Sequence, residues 1–139
     1  MKGVLFMCVA NSARSQLAEG VARKLAPKGI AIFSAGSRPA GVNPLAIRVL
    51  AEIGVDAKGQ RSKSASEVPT DAFDTVVTLC QEEVCPVLPG HYTRYHWPLA
   101  DPTALGDDDT SRLKSFRITR DELVRRLTEF FREPNAASH

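Results

Sequence analysis

A short apolar run, Gly3-Val4-Leu5-Phe6-Met7, stops at Cys8, and a few residues later the pattern changes from continuous apolarity to helical periodicity. Leu17, Ala18, Val21, Ala22 and Leu25 recur as one face of a helix that should run from Ser12 to Ala26 and end at Pro27-Lys28-Gly29. The same switch then repeats. Ile30 to Phe33 is a nearly continuous apolar run, which suits a strand covered on both faces, as in a parallel sheet. Ser34 to Gly41 reads as a turn-rich loop, and Asn43-Pro44 as an N-cap with proline at the first helical position. Leu45, Val49, Leu50 and Ile53 supply that helix with a buried face, and Gly54 is its expected C-cap. Asp56 to Thr70 is polar, a connection with at most one short helix. Ala72 to Leu79, rich in β-branched residues, predicts the next strand, and Tyr92 to Trp97 a short last one. A final helix beginning near Ser111 carries the stripe Leu123, Val124, Leu127, Phe130 and Phe131.

Strands alternating with helices in this way predict an α/β fold: a single-domain, doubly wound sheet of about four parallel strands with helices on both faces. Ligands of such sheets bind at the carboxyl ends of the strands. Residues 1–133 are expected to form the domain and 134–139 a flexible tail. A length of 139 residues suits one domain with a real core, and no run approaches the roughly 20 apolar residues of a membrane span. Met1-Lys2 leads straight into the first strand, so the start does not resemble a signal peptide, and a cytoplasmic location is expected. The formal charge of +2 arises from interleaved acids and bases, without a basic stripe, which argues against nucleic acid as the partner. Three cysteines are too few for a disulfide scaffold and point to chemistry instead.

The chemistry is expected at Cys8-Val9-Ala10-Asn11-Ser12-Ala13-Arg14-Ser15. A cysteine between the end of a strand and the start of a helix meets backbone N–H groups without helical partners, together with the positive end of the helix dipole. Such a place binds oxyanions and favours a thiolate. Cys8 is then a nucleophile, and the backbone amides of Val9, Ala10, Asn11, Ser12, Ala13 and Arg14 form an anion nest. The Arg14 guanidinium can grip two oxygens of a tetrahedral anion, and the Ser15 hydroxyl can bond the sulfur. Asn11 suits a tight loop because asparagine tolerates the left-handed region. The bland alternative makes Cys8 a small buried hydrophobe and Arg14 a surface residue. The strand before the motif, the helix after it and the serine that follows favour the first reading.

Cys80, at the end of the third predicted strand, and Cys85 form a second constellation. Cys8 and Cys80 should share one edge of the sheet. In a continuous helix, residues 80 and 85 would have Cα atoms roughly 8–9 Å apart, by helix rise and radius. That is beyond the ~7 Å reach of a disulfide, and Pro86 disfavours helix at Cys85, so a mobile loop is expected. Core packing is one alternative role for these two cysteines. Zinc binding with His91 and His96 is another, although the Cys-to-His gap is far shorter than the ~12–15 residues of zinc-finger loops.

The run from Val4 to Glu19 resembles the thioredoxin-coupled arsenate reductases, which share the low-molecular-weight protein tyrosine phosphatase fold. Ser34-Ala35-Gly36, Val42-Asn43-Pro44, Ser62-Lys63, Val76 to Cys80, Cys85-Pro86, His96-Trp97-Pro98 and Asp101-Pro102 resemble later landmarks of that family, so the similarity extends over nearly the whole chain. The resemblance implies an enzyme of arsenic detoxification that converts arsenate to arsenite. Cys8 would form the arsenate adduct, Cys80 would attack it and release arsenite, and Cys85 would resolve the resulting disulfide. A redox-active Cys80–Cys85 disulfide then awaits an external thiol reductant, thioredoxin or a glutathione or mycothiol system. Asp101 would be the general acid, against the alternative of a turn aspartate. Phosphate and sulfate are the expected competing oxyanions, and no tightly bound cofactor is implied. Part of the family binds potassium at positions matching Asn11, Glu19 and Ser34. Here Lys63 stands where an aspartate is expected, and its ammonium could replace the ion, so no metal is expected.

Two rival functions use the same motif. A phosphatase hydrolysing phosphate monoesters through a phosphocysteine would need only Cys8, Arg14 and Asp101. Against it, Thr103-Ala104 after Asp101-Pro102 lacks the aromatic residues that often line a phosphotyrosine pocket. A non-catalytic oxyanion-binding protein would need only the cradle.

Overall fold

The computed structural model describes residues 1–81, 87–104 and 106–132. Strand β1 (Gly3–Cys8) is followed by helix α1 (Arg14–Leu25), strand β2 (Ala31–Gly36) and helix α2 (Pro44–Ala51). A single 3-10 turn (Ala65–Glu67), strand β3 (Thr75–Thr78), strand β4 (Thr93–His96), a second 3-10 turn (Pro102–Ala104) and helix α3 (Asp109–Arg132) complete the order. The four strands form one sheet in the order β2-β1-β3-β4, and every pairing is parallel.

Side chains of β1 alternate between two apolar clusters, so the strand is buried on both faces, as its unbroken apolar run requires. Val4 and Phe6 meet Leu17 and Val21 of α1, Val49 and Leu50 of α2, and Phe116, Leu123 and Leu127 of α3. Leu5 and Met7 face the other way, toward Val68, Phe73 and Val76. Cover on both faces is therefore present but unequal: α1, α2 and α3 all contribute to the first cluster, while the turn at Ala65 and the segments around Phe73 and Tyr92 close the second. At the edge of the sheet, exposed β4 is fastened to α3 by Tyr95 and Trp97, whose rings stand edge-on to Phe130 at 5.3 and 5.4 Å.

Asn43 caps α2 as expected, its Oδ1 accepting the Leu45 N–H at 2.9 Å ahead of Pro44 in the first turn. Several predicted boundaries need correction: α2 ends at Ala51 with Glu52 as its C-cap instead of Gly54, and β3 is Thr75–Thr78, shorter than the predicted Ala72 to Leu79. Ser34 to Gly36 is strand, not loop, because these small residues pair in register with Phe6, Met7 and Cys8. Helix α1 starts at Arg14 instead of Ser12, because residues 9–13 are turned aside into a loop in which Asn11 has a φ of 46°. The predicted tail, 134–139, lies outside the described residues.

Helices α2 and α3 are joined at the surface by Glu52, which accepts from Arg117 at 2.6 Å and from Arg120 at 2.8 Å. Arg120 also donates to the carbonyl of Val49 in the last turn of α2. The hydrogen bonds from Arg117, reinforced by Arg120, lower the Glu52 carboxyl from the ordinary 4.5 to about 2. A carboxyl depressed in the folded state adds stability that is complete above its unfolded value and is lost as pH falls toward the folded one. Thermal stability is therefore expected to fall between pH 4.5 and 2, with Glu52→Gln flattening part of that decline; an unchanged acid profile in the variant would exclude the contribution.

Candidate active site

Sheet order reverses at β1, with β2 on one side and β3 on the other, and the crevice above such a reversal is where this topology presents ligands. Cys8 is the last residue of β1. The parallel ladder continues past β3, where the Leu79 N–H donates to Met7 O at 3.0 Å, which brings Cys80 to the same edge as Cys8. Both cysteines are 2% exposed; Cys8 is free, whereas Cys80 is disulfide-bonded. Cys85 lies outside the described residues, and so does the loop expected around it.

A cavity of about 110 Å³ opens over Cys8, lined by Ala10, Ser12, Ala13, Arg14, Ala40, Asp101 and Thr103. It unites three of the predicted catalytic residues, Cys8, Arg14 and Asp101, with part of the predicted anion nest. Arg14 is 5% exposed, and its Nη1 donates to Leu99 O at 3.0 Å. The Leu99 N–H in turn donates to Leu79 O, so the backbone that anchors the guanidinium is itself hung on the end of β3, next to Cys80. Two residues further on, the same segment delivers Asp101.

The orientation of Asn11 is fixed by its neighbours, and it ties the loop to Ser15 beside Cys8. Its Oδ1 faces the Lys63 N–H at 2.9 Å, and a backbone N–H can only donate, so the amide cannot be reversed. Gln16 Nε2 donates to the same oxygen at 3.0 Å. Asn11 Nδ2 therefore donates to Ser15 Oγ at 2.7 Å, and that oxygen lies 2.9 Å from Cys8 Sγ, where only the hydroxyl can donate once the cysteine is a thiolate. A hydroxyl donating to sulfur stabilises the thiolate form of the nucleophile.

The loop is also tied from outside. Arg38 N–H donates to Val9 O at 2.9 Å, Ala40 N–H to Ala10 O at 3.0 Å, Asn43 N–H to Ser12 O at 3.0 Å, and Ser62 Oγ to Ala10 O at 3.2 Å. With these carbonyls drawn outward, the N–H groups of the loop and of the first turn of α1 are available to a bound anion. Gly36 packs against the loop from beneath: a Cβ there would lie 2.4 Å from Val9 O and 2.9 Å from Asn11 N. Gly36 and Ser62 lie in stretches matched to the family but carried no role there, and Ala40 and the Leu99 carbonyl were not singled out, since backbone groups and lack of bulk give no motif signal.

Beneath the loop, Glu19 is 2% exposed and accepts from Ser34 Oγ at 2.5 Å. Lys63 Nζ stands 3.6 Å from Glu19 Oε1, and Arg23 Nη2 3.0 Å from Oε2. The residues matched to the potassium positions are thus clustered, with the Lys63 ammonium facing the carboxylate. His96 Nδ1 lies 2.7 Å from Thr78 Oγ1 and Trp97 packs on Phe130, so both sit among structural contacts.

Among known proteins, residues 3–138 match the family model described as low molecular weight phosphotyrosine protein phosphatase. An arsenate reductase of Halalkalibacterium halodurans is 37% identical over 131 residues, 93% of this chain and 94% of the relative. The crystal structure of an arsenate reductase from Archaeoglobus fulgidus superposes with a TM-score of 0.78 at 34% identity, covering 94% of this chain and 99% of that one. A thioredoxin-dependent arsenate reductase of Corynebacterium glutamicum gives a TM-score of 0.61 at 29% identity, covering 93% of this chain and 63% of the other.

Gly36→Ala is expected to cost about 1–3 kcal/mol of stability, the range for overpacking, and to weaken oxyanion binding by displacing the loop. Chemical denaturation with phosphate titration checks both. An alanine variant with unaltered phosphate affinity would show that the loop does not depend on this close approach.

Proposed function

The chain belongs to the low molecular weight phosphotyrosine protein phosphatase family, and from that premise we propose that it is an arsenate reductase in which Cys8, Cys80 and Cys85 form a thiol relay. The observation that carries this reading is the meeting of Cys8, Arg14 and Asp101 in one small cavity at the sheet edge that also bears a disulfide-bonded Cys80. A phosphatase needs the cavity alone. A second cysteine at the same edge, paired while Cys8 is free, is what a reductase needs in addition.

Arsenate enters as a tetrahedral anion held by the loop amides and the Arg14 guanidinium. The Cys8 thiolate attacks arsenic, and an S–As bond forms as an As–O bond breaks. The departing oxygen takes a proton from Asp101 and leaves as water. Arsenic is still pentavalent at this point. The Cys80 thiolate then attacks the Cys8 sulfur; an S–S bond forms, and the S–As electron pair stays on arsenic, which departs as arsenite. Cys85 attacks Cys80 and Cys8 is released as thiolate; the two electrons lost by the protein have gone to arsenic, and its oxidation is left as a Cys80–Cys85 disulfide. A thioredoxin-like dithiol restores the pair. No resident cofactor is needed, and a compartment that keeps thiols reduced, the cytoplasm, suits the cycle. Among the described residues, no helix is long and apolar enough to cross a membrane.

Selection of substrate follows from cavity size. Apart from Cys8, Arg14 and Asp101, the lining is alanine, serine and threonine, and among the described residues no aromatic ring lines the cavity to stack on an aryl ester. Phosphate and sulfate, matching arsenate in shape, are expected to compete with it.

Steady-state arsenate reduction with thioredoxin, its reductase and NADPH tests the relay. Wild type is expected to turn over repeatedly, and Cys80→Ser and Cys85→Ser to stop within one turnover. Sustained turnover in either variant would remove the relay, and aryl phosphate hydrolysis far faster than arsenate turnover and unaffected by Cys80→Ser would establish the phosphatase instead.

A further inference from the structure

Asp101 is held by its own neighbour in a way that separates its two oxygens. Thr103 N–H donates to Asp101 Oδ1 at 3.0 Å, and Thr103 Oγ1 donates to the same oxygen at 2.7 Å. Two donors fill the two lone pairs of Oδ1. A proton carried by the carboxyl must therefore sit on Oδ2. Pro102 between them is buried and starts the 3-10 turn Pro102–Ala104, closed by Ala104 N–H to Asp101 O at 3.1 Å, so the arrangement is set by local backbone. Asp101 and Thr103 both line the Cys8 cavity.

We infer that Thr103 is a positioning residue that fixes Asp101 Oδ2 as the proton-delivering oxygen of the active site. The inference rests on Asp101 being the acid of the proposed reaction. In that step, dihydrogen arsenate, the Cys8 thiolate and the Asp101 carboxylic acid give the Cys8 thioarsenate monoanion, water and the Asp101 carboxylate. Hydrogen count and total charge are the same on both sides. The proton leaves Oδ2 as the As–O bond breaks. Thr103 donates to Oδ1 before and after the transfer, so the carboxyl does not have to reorient as its charge changes. The threonine hydroxyl thereby supplies preorganisation rather than a proton, since Thr103 Oγ1 already directs its only hydrogen at Oδ1.

A turn-forming side chain with no share in the chemistry would make the same hydrogen bonds, and the experiment separates the two. Fully reduced protein, freed of reductant, is mixed with saturating arsenate, and arsenite release is followed through a single turnover by rapid quench. Thr103→Val is expected to slow that turnover about 10-fold while the half-saturating arsenate concentration stays within about two-fold, as the loss of one hydrogen bond to a charged group implies. Thr103→Ser, which keeps the hydroxyl, is expected to recover most of the rate. Asp101→Asn is expected to be slower by about 100-fold, and adding Thr103→Val to it should change little, because the hydroxyl then has no acid to orient. Thermal midpoints of all four variants accompany the rates. A valine variant as fast as wild type, a serine variant as slow as valine, or an undiminished valine effect in the Asp101→Asn background overturns the inference while the acid role of Asp101 survives. An Asp101→Asn variant as fast as wild type overturns both.

Discussion

One backbone N–H, that of Lys63, sets the polarity of the site. By donating to Asn11 Oδ1 it turns the Asn11 amide nitrogen toward Ser15, whose hydroxyl lies within hydrogen-bond distance of Cys8 Sγ. Asn11 pays for this with a left-handed φ of 46°, a conformation that few residues other than glycine adopt. Lys63 is itself positioned by strand pairing, since its carbonyl accepts the Gly36 N–H at 3.0 Å at the end of β2. The nucleophile, the loop around it and the strand beside it are therefore one connected unit. Little in it is left to side-chain freedom: Cys8, Asn11, Ser15 and Gln16 are all 2% exposed or less.

The sheet accounts for the second half of the chemistry. Because β1 and β3 are adjacent and parallel, two cysteines distant in sequence emerge at one edge. The return of the chain at Leu99 binds both Leu79 and Arg14, so the guanidinium, Asp101 and the neighbourhood of Cys80 share a backbone support. An oxyanion cradle cannot tell phosphate from arsenate by charge and shape. What the fold adds is a second cysteine at the same sheet edge, and on the proposed account its thiol, once reduced, chooses reduction over hydrolysis.

Where periodicity and local chemistry agree, the fold was legible in the sequence. The apolar runs at Val4 and Val76 and the helix signals at Asn43-Pro44 and Leu123 correspond to β1, β3, α2 and α3. Ser34 to Gly36 was misjudged as loop because small, turn-forming residues hide a strand whose pairing comes from β1 and not from its own propensity. In the site, Cys8 and Arg14 were singled out by motif chemistry and Asp101 by the family resemblance, and the structure brings the three to one cavity. The roles of Gly36, Ala40, the Lys63 N–H and the Leu99 carbonyl were not legible even where the residue had been named, because backbone groups and missing volume carry no signal in residue type. Thr103 was noted only as a non-aromatic residue, and its bonds to Asp101 emerge only with the turn.

The central claim is that electrons pass from the Cys80 and Cys85 thiols to arsenic by way of Cys8. Mass spectrometry of the fully reduced protein, exposed to arsenate without reductant and then alkylated, tests it most directly. The account predicts the loss of two hydrogens, mapped to a Cys80–Cys85 disulfide, with Cys8 still open to alkylation. An unchanged mass, or a final disulfide that retains Cys8, would contradict it.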